Sequence, residues 1–140
     1  MFHHIIVEKE LLPVREAAGE GKIEAMFELA DAILQGRHTK ASPELAGPVI
    51  EAMFDHPDFR KDLQRFCNTY VMMTHYFKLQ YEMGRIELRE MVEQGSEYLQ
   101  MMIQTMTTAP RHHWNRAQLQ HCLCWIDEHQ ALLVELEGAG

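Results

Sequence analysis

The feature that most constrains the fold is a heptad spacing of apolar residues, which repeats in three consecutive segments of the second half of the chain. Apolar side chains recur there at alternating intervals of four and three residues, the spacing of a helix face that packs along its length against another helix. We call each such stripe of apolar residues a seam. The first seam consists of Phe59, Leu63, Phe66, Tyr70, Met73 and Phe77. The second consists of Leu88, Val92, Gly95, Leu99, Met102 and Met106, and the third of Leu119, Leu123, Ile126, Gln130 and Leu133. Three long helices, joined by short loops, are therefore predicted to form a bundle of antiparallel neighbours.

Glycine and proline residues divide the whole chain into six predicted helices, and signals for β-strands are sparse. Ser42, Pro43 and Glu44 form a helix start, with a hydroxyl cap, a proline in the first turn and an acid beside it. Pro48 conflicts with a continuous third helix, and Pro13 predicts either a helix that begins near residue 12 or one that is kinked there. The predicted helices cover about residues 5–18, 22–35, 42–54, 58–83, 85–107 and 114–136. We predict an all-α fold of six helices in antiparallel pairs, within a single domain over residues 1–140.

The charge of the chain argues against nucleic acid and membranes as partners, and its cysteine content indicates the compartment. The net charge of −8 gives no basic face for nucleic acid or for an anionic membrane, and the densest basic stretch, residues 111–116, is short. Three cysteines are an odd number and make no disulfide framework, which is typical of a reducing compartment. Neither a signal peptide nor the roughly 20 apolar residues of a membrane span is visible. We expect a cytoplasmic protein that binds neither nucleic acid nor membranes.

Small residues in the first third of the chain follow a recognisable spacing. The residues that carry it are Ala17, Ala18, Gly21, Ala25, Leu29, Ala30, Ile33 and Gly36. This spacing resembles a Sel1-like repeat, a relative of the tetratricopeptide repeat, although that family has glycine where Ala30 stands and an aromatic residue where Ile33 stands. The resemblance covers residues 14–54 and ends at Pro57. It implies helical hairpins that hold another protein, as adaptors and co-chaperones do, and it brings no catalytic residues with it.

Nine histidines prompt a search for a metal site. The densest group is His121, Cys122, Cys124 and His129, on the predicted last helix. Within that helix no face collects three or four ligands, so zinc would need help from another helix, through His75 or Cys67. The spacings of zinc fingers, zinc proteases and di-iron bundles are absent. We therefore predict no metal and no cofactor, and keep as the alternative a small helical-bundle metalloprotein or enzyme that uses the histidines and cysteines of the last helix.

Catalytic motifs are also absent from the sequence. It contains no nucleophile elbow, no phosphate-binding loop and no dinucleotide-binding fingerprint. Side chains able to act as acids or bases do gather on the fourth helix, at Tyr70, His75, Tyr76, Tyr81 and Glu82. Such groups act only within hydrogen-bond reach of a substrate, and the sequence indicates no pocket for one. We therefore predict that the protein is not an enzyme and assign no catalytic residue.

Methionine and aromatic residues in the second half indicate more apolar helix surface than one seam uses. The methionines concentrate at Met72, Met73, Met83, Met91, Met101, Met102 and Met106, and methionine suits both pliable binding surfaces and ordinary cores. The off-seam methionines, with Tyr98 and Trp125, predict a second apolar face, which contacts the N-terminal helices, a second copy of the chain or a partner. The leading interpretation is a non-enzymatic protein-interaction module that binds a protein partner on an apolar helical face, with a homodimer as a further alternative.

Overall fold

The all-α prediction is confirmed by a computed structural model, which describes residues 1–139 and the side chains of residues 1–138. The six helices are α1 (Leu12–Gly19), α2 (Ile23–Gln35), α3 (Pro43–Phe54), α4 (Leu63–Glu82), α5 (Leu88–Thr108) and α6 (Arg116–Ala139). Short 3₁₀ turns cover Lys9–Leu11, Phe59–Lys61 and Arg111–His113. Among the described residues the one β-type pairing is an isolated bridge between Val7 and Thr39. No described helix combines the length and the hydropathy that a bilayer crossing requires.

The chain divides into two compact units, Met1–Asp62 and Leu63–Gly140. In the first unit, α2 packs against both α1 and α3. Gly21 and Gly36 have φ angles of +91° and +69°, so both turns use a backbone conformation that residues with a Cβ adopt only at a cost. Ala18 and Ala30 are fully buried, which lets the helices approach closely. The single-domain prediction for residues 1–140 stays a prediction.

Two prolines test the predicted starts of α1 and α3. The first helix begins at Leu12 with Pro13 in its first turn, so the start near residue 12 is right and the start at residue 5 is wrong. Ser42 caps α3 as predicted, because its side chain accepts a hydrogen bond from the backbone N–H of Leu45 at 3.2 Å. Pro48 does not break α3, which continues to Phe54 with this proline on its exposed side.

The start of α4 differs from the prediction, because the helix begins at Leu63 rather than at residue 58. The ring of His56 holds the preceding segment: Nε2 donates to the carbonyl oxygen of Gly21 at 2.6 Å, and Nδ1 accepts from the backbone N–H of Asp58 at 3.0 Å. Phe59 therefore lies in a 3₁₀ turn, with its ring centroid 5.0 Å from that of Phe54. The predicted first member of the α4 seam thus packs within the N-terminal unit.

In the second unit, α5 packs against both α4 and α6. The seam of α5 is confirmed, since Val92, Leu99 and Met102 are buried. Both neighbours run antiparallel to α5, because Phe77 and Leu133, late in α4 and α6, pack near its start with Met91. Tyr70 and Trp125, earlier in the same two helices, lie against Tyr98 and Gly95 further along it.

The predicted seam of α6 is right only in part: Leu133 is buried and Leu119 and Ile126 are half-buried. Leu123 and Gln130, two of its members, are exposed, whereas Cys122 is buried and Trp125 is half-buried. The close contact between α5 and α6 occurs at Gly95, where an added Cβ would lie 2.6 Å from Cη2 of Trp125. At this level the inward side of α6 is therefore occupied by an indole that needs a glycine opposite it, and not by Leu123 of the heptad pattern.

Candidate binding cleft

At one end of the second unit, a polar junction joins the N-terminal ends of α4 and α6. The junction consists of Gln64, Asn68, Asn115 and Gln118. The side chain of Gln64 donates to Oδ1 of Asn68 at 2.7 Å and to Oε1 of Gln118 at 2.8 Å. Gln118 donates to Oδ1 of Asn68 at 2.8 Å, and Asn115 donates to Oε1 of Gln64 at 3.3 Å. These bonds satisfy amide groups that are partly removed from water, so they fix the spacing of the two helices at this end.

Two buried thiols adjoin the junction, Cys67 next to Asn68 on α4 and Cys122 one turn after Gln118 on α6. Cys67 and Cys122 are fully buried on α4 and α6. Burial disfavours the charged thiolate and raises the pKa of each thiol to about 11. The neighbouring Cys67 contributes a smaller increase to the pKa of Cys122. Both groups therefore act as small apolar residues in the packing of the bundle, and neither is a reactive nucleophile.

Further from the junction, a cleft of about 660 Å³ lies between α4 and α6. Both helices run antiparallel to α5, so they are parallel to each other, and α5 forms the floor between them. The α4 wall consists of Val71, Thr74, His75, Lys78, Tyr81 and Glu82; the floor of Leu88, Met91 and Leu99; and the α6 wall of His121, Trp125, His129, Leu132 and Leu136. A volume of this size lies in the range of pockets that bind small molecules in proteins.

Trp125 and His129 form a stacked pair on the α6 wall. Their ring centroids are 3.8 Å apart and their planes differ by 15°. Nδ1 of His129 lies 2.8 Å from the carbonyl oxygen of Trp125, and because a carbonyl only accepts, Nδ1 carries the proton. The second nitrogen, Nε2, is thus the ring position of His129 that remains for a molecule in the cleft. The stack and this hydrogen bond together fix the orientation of both rings.

The charged residues of the cleft lining are one lysine and one glutamate. Lys78 and Glu82 lie on adjacent turns of α4, with Nζ 3.8 Å from Oε1. Both side chains are more than half exposed, so solvent screens this ion pair strongly. The remaining titratable side chains in the lining are three imidazoles and the phenol of Tyr81. Among the lining residues, Glu82 is the one carboxylate.

Large apolar side chains form an exposed rim around the cleft. Tyr81, Leu132 and Leu136 are 40%, 38% and 50% exposed, and all three line the cleft. The described residues of α6 carry two further large exposed apolar side chains, Leu123 and Val134, which lie outside the lining. The rim therefore places apolar surface where an entering molecule would cover it.

The structure separates the histidines and cysteines that were kept as an alternative metal site. His75, His121 and His129 all line the cleft. Cys122 is buried, and Cys124 is exposed with its sulfur 3.3 Å from the side-chain nitrogen of Gln120. Within the described residues, the arrangement of three ligand atoms that suits a metal occurs instead at Glu8, Glu10 and His38, near the surface of the first unit. The histidines and cysteines of the last helix form no such arrangement.

The predicted acid–base group is only partly brought together. His75, Tyr81 and Glu82 line the cleft. Tyr70 instead packs against Phe66, with ring centroids 4.9 Å apart, and lies outside the lining. Tyr76 packs against Phe77 and also lies outside it. Of the six methionines on α4 and α5, five are buried and Met101 is exposed, and Met83, which follows the end of α4, is also exposed.

The chain matches no protein family, no curated protein and no solved structure with which it was compared. The function must therefore be argued from the cleft itself. Two features of the cleft escaped the sequence prediction. The polar junction next to the cleft has a local signal, because four amide side chains lie at the N-terminal ends of two helices. The match of Gly95 to Trp125 has no local signal, since the two residues lie 30 positions apart.

Proposed function

We propose that this chain is a non-enzymatic protein-interaction module and that its C-terminal unit binds a helical segment of a protein partner in the cleft between α4 and α6. The cleft carries the proposal, because it lies between two parallel helices that are both antiparallel to α5. That is the position a fourth helix takes in a four-helix bundle. A partner helix in it would cover the exposed rim.

The length of the cleft fits a short helix. Its lining extends from Val71 to Glu82 on α4 and from His121 to Leu136 on α6. At 1.5 Å per residue these stretches are roughly 17 Å and 22 Å long, which corresponds to about three or four helical turns. Helix-in-groove recognition uses apolar anchors on successive turns of a segment of this length. The Sel1-like spacing of residues 14–54 supports the same class of function, and no residue is assigned a catalytic role.

A photo-crosslinking experiment with neighbouring positions tests the proposal. The photoreactive residue p-benzoylphenylalanine replaces Leu132 in one variant and Val134 in the other, and each variant is expressed in the native host. Both side chains are exposed on α6, Leu132 to 38% and Val134 to 70%, but only Leu132 lines the cleft. We expect a discrete protein adduct from position 132 and none from position 134. Adducts that form equally from both positions, or from neither, would contradict the proposal.

Two matched leucine substitutions then test where the partner identified by crosslinking binds. Leu136 and Leu123 are 50% and 46% exposed on the same helix, and only Leu136 lines the cleft. Burial of half a leucine stabilises a complex by about 1 kcal/mol, and an unpaired buried carboxylate adds a further cost. Leu136→Asp should therefore weaken binding by at least about tenfold, whereas Leu123→Asp should leave it unchanged. Isothermal titration calorimetry measures both, and an equal loss in the two variants would exclude the cleft as the binding site.

A further inference from the structure

We propose that the second unit carries a further binding surface, the arginine patch, which takes a short, extended, acidic segment of a partner protein. The arginine patch consists of Arg111, Trp114 and Arg116, at the connection between α5 and α6. None of the three lines the cleft, so this inference does not depend on the proposed function. Three properties support it: the distribution of charge in the unit, the unpaired guanidinium groups and the fixed position of the indole.

The acidic side chains of the second unit are confined to one half of it. Because α4 and α6 run antiparallel to α5, their N-terminal ends lie at the same end of the unit as the C-terminal end of α5. Residues 63–81 and 98–126 contain no aspartate or glutamate, and all nine acids of the unit lie in the other half. Asp62 precedes α4 at the end of the first unit, and Arg65 offsets its charge. The half of the unit with the arginine patch is therefore free of carboxylates, although the whole chain carries −8.

The nearest acids along α5 and α6 are too far away to act strongly on the patch. Glu97 lies 11 residues before the end of α5 at Thr108, and Asp127 lies 11 residues after Arg116. At 1.5 Å per residue both separations are roughly 16 Å, about twice the Debye length of roughly 8 Å at physiological ionic strength. A segment on the patch is therefore attracted by the arginines and is repelled little by the acids of the same unit.

Both arginines of the patch are exposed, and among the described side chains neither guanidinium group pairs with a carboxylate. Each guanidinium carbon lies 5.8 Å from the ring centroid of Trp114, so the two cations are within about 12 Å of each other. Arginine stays charged at every physiological pH, and its five N–H groups donate and accept nothing. The positive charge of the patch therefore does not depend on the titration of any histidine. Two such cations side by side, without a carboxylate of their own, suit an occupant that brings carboxylates.

The indole of Trp114 and the backbone beside it are already held in place. The indole N–H donates to the carbonyl oxygen of Ala109 at 2.8 Å, and the ring is half-buried. The backbone N–H of Asn115 donates to Sδ of Met106 at 3.3 Å, and Oδ1 of Asn115 caps α6 by accepting from the backbone N–H of Gln118 at 3.0 Å. A binding surface on a fixed backbone loses little conformational freedom when it is occupied. Tryptophan and arginine are also among the residues that contribute most to affinity in protein interfaces.

The size of the patch fits a short peptide segment rather than a nucleic acid. An extended chain advances about 3.4 Å per residue, so carboxylates two to four residues apart are separated by roughly 7–14 Å along it. That range includes the largest separation that the two guanidinium groups can have. Proteins that bind nucleic acid through its backbone neutralise several phosphates along the strand. Two arginines supply few of those contacts, and a longer strand would extend toward the acidic half of the unit.

A titration followed by NMR tests this with probes of defined charge. The isotope-labelled full chain is titrated with capped hexaglutamate, with hexaglutamine as the uncharged control and with an oligouridylate of similar length. The same titrations are made with two double variants. Arg111→Gln/Arg116→Gln removes both charges of the patch, and Lys9→Gln/Lys40→Gln removes two charges from exposed residues of the first unit. Circular dichroism establishes that both variants remain folded.

We expect hexaglutamate to shift the indole N–H signal of Trp114 and the backbone amide signals of residues 111–116. The Kd of hexaglutamate should rise about fivefold or more in Arg111→Gln/Arg116→Gln, but less than about twofold in Lys9→Gln/Lys40→Gln. The inference is overturned if hexaglutamate shifts none of these signals, if hexaglutamine shifts them equally, or if the two double variants weaken binding to the same extent. An oligouridylate that shifts the same signals and binds more tightly than hexaglutamate would overturn it in favour of nucleic acid.

Discussion

The contact between Gly95 and Trp125 gives the sharpest prediction for stability, because two effects of opposite sign meet at one position. Alanine is the better helix former, and Gly→Ala in a helix interior stabilises by about 1 kcal/mol when the new methyl group has space. At position 95 it has none: the Cβ would lie 2.6 Å from Cη2 of Trp125 and 3.3 Å from the two atoms beside it. Carbon atoms in good contact are roughly 3.5–4.0 Å apart, so the indole would have to move by about 1 Å.

The indole is not free to make that movement, because it is stacked on His129 at 3.8 Å. Overpacking of this kind costs about 1–3 kcal/mol. After the gain in helix propensity is subtracted, Gly95→Ala should destabilise the protein by about 1 kcal/mol, as measured by urea unfolding followed by circular dichroism. Gly138→Ala is the control: no atom lies within 4 Å of its Cβ position, so that variant should be neutral or slightly stabilised.

A double-mutant cycle isolates the contact from other effects of the substitution. With Trp125→Ala in the background, the space beside position 95 opens, and Gly95→Ala should then stabilise by up to about 1 kcal/mol. The sign of the effect thus reverses, with a coupling energy of roughly 2 kcal/mol between the two positions. A variant Gly95→Ala that is more stable than the natural chain while Trp125 is present would refute the reasoning, and so would identical effects in both backgrounds.

Three further predictions concern the thiols and one turn of the chain. In the folded protein at pH 8, a thiol reagent such as dithionitrobenzoate should modify the exposed Cys124 rapidly. Cys67 and Cys122 should react only after unfolding, because burial keeps both thiols protonated. Rapid modification of more than one thiol would contradict this prediction. The pKa of each buried thiol is about 11 in the folded chain, against 9.0 for an unperturbed thiol. As the pH rises, the unfolded chain therefore loses these protons before the folded chain does. The free energy of unfolding should fall between pH 9 and pH 11, by at most roughly 3 kcal/mol per thiol. The double variant Cys67→Ala/Cys122→Ala should lack this part of the decline in urea unfolding, and equal slopes for the two proteins would show that the thiols do not cause it. Gly36→Ala should destabilise the protein by about 1 kcal/mol, since the position has a φ of +69°, and an unchanged midpoint of unfolding would contradict the strain argument.

The helices were predictable where their limits depend on local chemistry. The cap at Ser42 and the turns at Gly21 and Gly36 need only a few neighbouring residues, and the structure has all three where the sequence indicates them. The start of α4 was not predictable in this way. The segment before it is held by His56, whose ring bonds to Gly21, 35 residues earlier in the chain. A contact of that kind overrides the helical pattern that begins at Phe59.

The site was less predictable than the fold, for a physical reason that α6 shows. A heptad pattern assumes that leucine points inward, but α6 turns Trp125 toward the opening at Gly95 and leaves Leu123 exposed. The cleft itself depends on two helices that are joined at the polar junction and leave a gap further along. The sequence does name several of the residues in its lining, among them His75, His121 and His129. It does not indicate that they line a common cleft.

The sparse burial of α6 has a consequence for its motions. Among its described side chains, Cys122 and Leu133 are the buried ones, whereas α5 buries seven residues over a similar length. A helix with so few buried groups opens locally at a lower free energy than its neighbours, and its amide hydrogens exchange with solvent sooner. A molecule that fills the cleft covers this helix and slows that exchange, because local opening then has to break the new contacts as well. The wall with the fewest internal contacts is thus the one whose dynamics respond most to occupancy, so α6 reports on whether the cleft is full.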